Sequence, residues 1–113
     1  MINNYGQQIE AGDFVVSARM NGTVGFYLVT KIGTKETTAS LSYFSEDIVE
    51  RERIDGRWLR VTPPRVEVRE HKTRSNYPHC MWRAHLEDYP SLSPAIYRAF
   101  MEKQMEILND RAP

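Results

Sequence analysis

Four side chains that bind soft metals or activate nucleophiles fall close together: His71, His79, Cys80 and His85 lie within fifteen residues. A structural zinc site needs ligand pairs held on one side by a chelating turn, as in C-x-x-C with H-x-x-x-H. His79 and Cys80 are instead adjacent, and adjacent residues on a helix or strand point apart. A Cys80 thiolate activated by His79 or His85 is the nucleophilic alternative. It lacks an orienting third group, and Cys–His enzymes usually draw their partners from distant parts of the chain. No nucleophile elbow occurs, and Gly22-Thr23-Val24-Gly25 lacks the further Gly, Lys and Ser/Thr of a phosphate loop. The carboxylates of Glu87-Asp88 are sequence neighbours, for which solvated surface is the usual fate. The expectation is a protein without catalytic residues, metal or cofactor. An enzyme or metal site around His79, Cys80 and His85 is the minor alternative.

A second constellation is basic. From Arg51 to Arg74 stand Arg51, Arg53, Arg57, Arg60, Arg65, Arg69, Lys72 and Arg74, against Glu52, Asp55, Glu67 and Glu70, a local excess of +4. Arginine's planar fork suits phosphate and carboxylate alike, and Trp58 and Tyr77 could stack on bases. Arg51, Arg53, Arg57, Trp58 and Arg60 are therefore candidate nucleic-acid contacts. Against this, alternating Arg and Glu on strand exteriors form cross-strand ion pairs. A pI near 6.8 also falls short of a dedicated nucleic-acid binder.

The third constellation is aromatic and methionine-rich: Met81, Trp82, Tyr89, Tyr97, Phe100, Met101 and Met105. Tyr, Trp and Met are enriched at protein interfaces. Trp82, Ile96 and Phe100 are assigned to the core. Tyr97, Met101 and Met105 fall on the side of a helix and are the candidate partner-binding stripe, as a helix in a groove or a homodimer seam.

The elements that must position these groups follow from pattern. Ile9 to Asp13 reads as a lead-in turn. Phe14–Met20 and Thr23–Ile32 flank Asn21-Gly22, the sequence of a two-residue hairpin. Counting outward places Ala18 opposite Gly25, with Phe14, Val16, Tyr27 and Val29 on one face and Val15, Val24, Phe26 and Leu28 on the other. Both faces are apolar, which predicts strongly curved strands or a helix across the outside. Residues 37–44 read as a third strand, Ser45-Glu46-Asp47 as a cap or turn, and Ile48–Ile54 as helix or strand. Asp55-Gly56 suggests a second hairpin, and Pro63-Pro64 breaks its ladder. Arg65–Glu70 alternates as a strand with Val66 and Val68 inward. His71–Pro78 reads as a polar loop and Cys80–Leu86 as one or two helical turns. Ser93 as N-cap and Pro94 at the first helical position start a helix running to about Asn109.

These readings make an α+β domain over residues 1–113, with a β-rich part (9–70), a loop and short helix (71–93) and a C-terminal helix (94–109). The expected architecture is a small SH3-like barrel or a strongly curved antiparallel sheet of five or six short strands, followed by that helix. An open sheet with the helix across one face is the alternative.

Composition bounds the partners. The chain has 113 residues, 41% hydrophobic and 27% charged, with 15 basic and 15 acidic side chains and a formal net charge of zero. That is globular usage, with no global attraction for nucleic acid or an anionic membrane. A single cysteine allows no internal disulfide and fits a reducing compartment. The first eight residues lack the basic and apolar regions of a secretory signal, and apolar runs such as Val24–Val29 are too short to span a bilayer. The expectation is a cytoplasmic, non-catalytic adaptor or inhibitor that acts on a protein partner, of the sort phages and mobile elements carry. A nucleic-acid-binding small β-barrel is the competing reading.

Overall fold

The computed structural model describes residues 1–18, 24–89 and 92–111, the side chains at 74–76 and 79 excepted. Five antiparallel strands are followed by one helix: β1 (Phe14–Ala18), β2 (Val24–Ile32), β3 (Ala39–Ile54), β4 (Arg57–Asn76), β5 (Met81–Arg83) and α1 (Pro94–Arg111). They form one sheet in the order β4-β3-β2-β1-β5. The fold is α+β as expected, but the sheet is open, with β4 and β5 as its edges, and does not close into a barrel.

The lead-in turn is present: Glu10 N–H donates to Asp13 Oδ2 at 2.8 Å, and Gly12 N–H and Asp13 C=O pair with Val29. Strands β1 and β2 then pair with Ala18 opposite Val24 and Ser17 opposite Gly25. This is one residue away from the expected register, and the Asn21-Gly22 turn itself lies outside the described residues. The shift regroups the faces, because side chains alternate with period two. Phe14 now faces Leu28 and Val16 faces Phe26, while Val15 faces Tyr27. Small size at position 25 matters: a Cβ there would sit 2.6 Å from the Tyr27 hydroxyl, which folds back over it.

Both faces of the sheet are covered, and by different things. On one side Phe14, Leu28, Leu86, Phe100 and Ile107 are buried together, with Phe26, Phe44 and Ile96 packed against them. Phe100 of α1 is the hub, edge-on to Phe14, Phe26 and Phe44 at centroid distances of 5.9, 5.3 and 4.9 Å. On the other side Val15, Tyr27, Val29, Ala39 and Leu41 pack under Met1 and Ile9 of the N-terminal segment and Met81 of β5. That segment is pinned by buried Asn3. Its side-chain amide donates to Gln7 Oε1 (2.8 Å) and the Met81 carbonyl (3.1 Å), and its Oδ1 accepts from the Tyr5 and Gln7 N–H groups. One helix and one irregular segment thus do what barrel closure would have done.

Several local expectations are corrected. Ser45-Glu46-Asp47 does not turn the chain; it lies within β3, and Ile48–Ile54 continues that strand. The 71–76 part of the expected polar loop belongs to β4, because His71, Lys72 and Thr73 pair with Tyr43, Ser42 and Leu41. Cys80–Leu86 is not helical: a 3-10 turn at Pro78–Cys80 leads into β5, which pairs with β1, and a second turn covers Leu86–Asp88. Trp82 is half-buried rather than core, edge-on to Tyr5 at 6.5 Å. The capped helix is as read, with Ser93 Oγ accepting the Ile96 N–H at 3.2 Å, and it extends to Arg111.

Candidate functional site

The longest feature of the molecule is a two-stranded arm. Beyond Phe44, β3 and β4 continue outward as a ribbon to the Asp55-Gly56 turn, where Ile54 pairs with Arg57. Both turn residues have positive φ (51° and 79°), as a type I′ turn demands, and glycine meets that demand without Cβ strain. The ten residues from Ser45 to Ile54 give the arm a length of roughly 30 Å. The radius of gyration, 16.6 Å, accordingly exceeds the ~13 Å of a compact chain of this length. Pro63-Pro64 does interrupt the ladder: pairing passes from Arg51–Arg60 to Val49–Arg65, leaving four residues of β4 against Glu50. The strand continues beyond it.

The arm splits the arginines into two groups. Near the body they are paired. Arg65 holds Glu52 through both terminal nitrogens (2.9 and 3.1 Å) and Glu67 through Nε (3.1 Å), and Arg69 holds Asp47 at 3.1 Å. The hydrogen bond and charge of Arg65 lower the Glu52 carboxyl below its ordinary range, and the same pairing raises the Arg65 guanidinium. The ion-pair reading of the alternating charges therefore holds for this half.

At the tip it does not. Arg51 lies opposite Arg60 and Arg53 opposite Trp58. Directly opposed residues and residues two apart share a face, so these four stand together. All four are exposed, Trp58 at 67%. None of the three arginines has an ion pair among the described residues. Arg57, the fifth candidate, falls on the opposite face with Glu52, Ile54 and Leu59.

Comparison with protein-family models, with curated proteins and with solved structures gave no match. The chemistry of the surfaces must carry the argument.

Val66 and Val68 do not point inward as expected. They are exposed, and Val66 pairs directly with Ile48, which is 69% exposed. Alternation shows which residues share a face, not whether anything covers that face. Here α1 covers the sheet only as far as Phe44 and Glu46, where Ser93 Oγ donates to Glu46 Oε1. Ile48 and Val66 lie beyond it.

The helix stripe is divided. Tyr97, Met101 and Met105 are all exposed. Tyr97 and Met101 line a shallow groove of about 500 Å³ with Leu86, Tyr89, Leu92 and Arg98, and Met105 is not part of it. Of the soft-ligand group, His85 is exposed, Cys80 is half-buried and the His79 side chain lies outside the described ones. Among the described residues no three His, Cys, Asp or Glu side chains cluster as metal ligands.

One pairing escaped the sequence reading altogether. His71 stacks on Tyr43 at 4.8 Å, and its Nε2 is 2.7 Å from Ser45 Oγ. This is a base beside a hydroxyl, formed diagonally across β3 and β4. Without the β3–β4 register no sequence signal joins residues 26 apart. Among the described residues no carboxylate hydrogen-bonds the ring, so the orienting member of a nucleophilic triad is not supplied.

Proposed function

We propose that the protein is a non-catalytic binding module, an adaptor or inhibitor, that docks on a protein partner with its β3–β4 arm. One observation carries this reading: six large apolar side chains stand exposed on the arm, Ile48, Val66 and Val68 together on one face and Ile54, Trp58 and Leu59 around the tip. Scattered surface hydrophobes need no explanation, but grouped ones mark interaction sites. A two-stranded ribbon is also marginal on its own in water, and a partner laid against it supplies the missing layer. The flanking unpaired arginines favour a partner whose apolar patch is bordered by carboxylates. Trp and Arg are the residues that dominate interface energetics.

Capture from a lysate of the source organism tests the reading. Ile48→Ser with Val66→Ser should lose a partner that the natural chain retains, whereas Met101→Ser with Met105→Ser should keep it. The reverse pattern would return the contact to the helix stripe.

A second reading, nucleic-acid binding, is favoured by the tip face alone, since a two-stranded ribbon fits the major groove. Three phosphate contacts from Arg51, Arg53 and Arg60 would give a salt slope of about −2.7, or roughly 40-fold weaker binding from 50 to 200 mM salt. A complex with duplex DNA that shows this slope and is lost in Arg53→Glu with Arg60→Glu would replace the protein-docking reading.

A further inference from the structure

The partner of the arm, we infer, is a second copy of this chain: each arm tip enters an acidic groove at the root of the other arm, closing a two-fold dimer. This rests on the reading of the arm as a protein-docking limb and names what it docks on.

The groove lies where the arm leaves the body. Phe44, Val68, Glu70, Ala99, Glu102, Lys103 and Glu106 enclose about 340 Å³ between the arm root and α1. Its floor is apolar (Phe44, Val68, Ala99), and its rim carries three carboxylates against one ammonium. Lys103 is shared between Glu70 (3.7 Å) and Glu106 (3.6 Å), while Glu102 has no ion pair among the described residues. The tip is its chemical complement: three unpaired guanidinium groups around one exposed indole. Trp58 suits the apolar floor, and Arg51, Arg53 and Arg60 suit the rim. The tip lies at the far end of the ribbon from the root, so a tip seated in this groove comes from another molecule.

The spacing fits a two-fold axis. In an isologous contact, whatever lies outward of the axis on one copy meets what lies equally far inward on the other. Ile48 and Val66 form a cross-strand pair between tip and groove. Arg51 and Arg53 lie three and five residues outward of Ile48, and Phe44 lies four residues inward. Two arms laid antiparallel would therefore bury Ile48 and Val66 against their own symmetry mates while each tip reaches the partner's groove. Val68 and Glu70 share the face of Val66, so the strip and the groove are continuous. Arg65 lies on the opposite, Val49 face and reaches Glu52 across the irregularity. Burial along β3 changes phase at the same place: Val49 and Glu52 are half-buried, while Ile48, Glu50, Arg51 and Arg53 are exposed. The irregularity thus reverses the alternation and turns the tip arginines and Trp58 towards the Ile48 side.

Light scattering on the 113-residue chain after size exclusion tests the inference, with melting curves to confirm that each variant folds. The natural chain should run at twice its 13.2 kDa mass. Arg53→Glu with Arg60→Glu should run as a monomer, Glu102→Arg with Glu106→Arg likewise, and the quadruple variant should recover the dimer. Three results would overturn the inference: a monomer at every concentration, a dimer indifferent to both charge reversals, or an open-ended series of larger species. A monomer whose captured protein partner is lost in Ile48→Ser with Val66→Ser would end this inference and leave the docking reading standing. A monomer that holds duplex DNA with the 40-fold salt response above would end both.

Discussion

The body and the arm share two strands, β3 and β4, and differ in what covers them. Over the first few residues of β3, Ala39, Leu41 and Ser42 are buried, with α1 on one side and the N-terminal segment on the other. A few residues further along the same strand, Ile48 and Ile54 are exposed with neither layer above them. Strand propensity and alternation are alike in the two stretches. The difference lies in the third dimension: α1 and the N-terminal segment are long enough to cover the root of the ribbon and no more. Stability is therefore expected to reside in the body and recognition in the arm.

The sharpest way to break that division is to cut one aromatic from each. Phe100→Ala removes the hub of the helix-side core and should cost about 3–5 kcal/mol. Trp58→Ala removes a larger side chain from the arm tip and, at a concentration where the chain is monomeric, should stay within about 0.5 kcal/mol. Urea unfolding of the two variants checks both, and comparable losses would mean that the arm is part of the cooperative core.

How much of this was legible in the sequence can be seen element by element. The Ser93-Pro94 start and the Asp55-Gly56 turn were readable because a cap and a type I′ turn are set by a few adjacent residues. The registers were not. Asn21-Gly22 suggested a two-residue turn, and the observed pairing is displaced by one, which exchanges the faces of Phe14 and Val15. Residues 71–76 looked like a loop because polar residues on an edge strand resemble loop residues when their pairing partner is unknown. The tip face was partly legible. Arg51, Arg53, Trp58 and Arg60 were grouped by sequence proximity, and the hairpin register set them side by side while sending Arg57 to the other face. The acidic groove joins the β3–β4 hairpin to α1, and the Ser45–His71 pair lies diagonally across the β3–β4 ladder, so no local pattern announces them.

Smaller losses are expected in the layers that cover the body. Asn3→Ala strips the acceptor from the Tyr5 and Gln7 N–H groups under the sheet, and unmatched polar groups there should cost about 1–3 kcal/mol. The same unfolding measurement reads it, and a negligible change would mean that the N-terminal segment is not a structural layer. Ser93→Ala removes the helix cap at Ile96 and should cost about 1 kcal/mol, read as a lower melting temperature with the fold retained.

The smallest effect belongs to the arm. The carboxyl of Glu52 is lowered by Arg65, so the folded state holds its proton more weakly than the unfolded chain. The pair therefore contributes above the ordinary carboxylate range and loses that contribution as pH falls through the folded value. Glu52→Gln should be slightly less stable than the natural chain at neutral pH and indistinguishable from it in acid. Because both groups are solvent-exposed, added salt should shrink the neutral-pH difference too. Denaturant melts at the two pH values and two salt concentrations check this, and a difference that grows in acid would reverse the assignment.

Hydrogen exchange of the full chain, alone and in its associated form, tests the central claim most directly. Residues 45–69 should exchange readily in the free chain and gain protection on association, while the body strands are protected in both states. Protection gained along α1 around Tyr97 and Met101, with the arm unchanged, would contradict it.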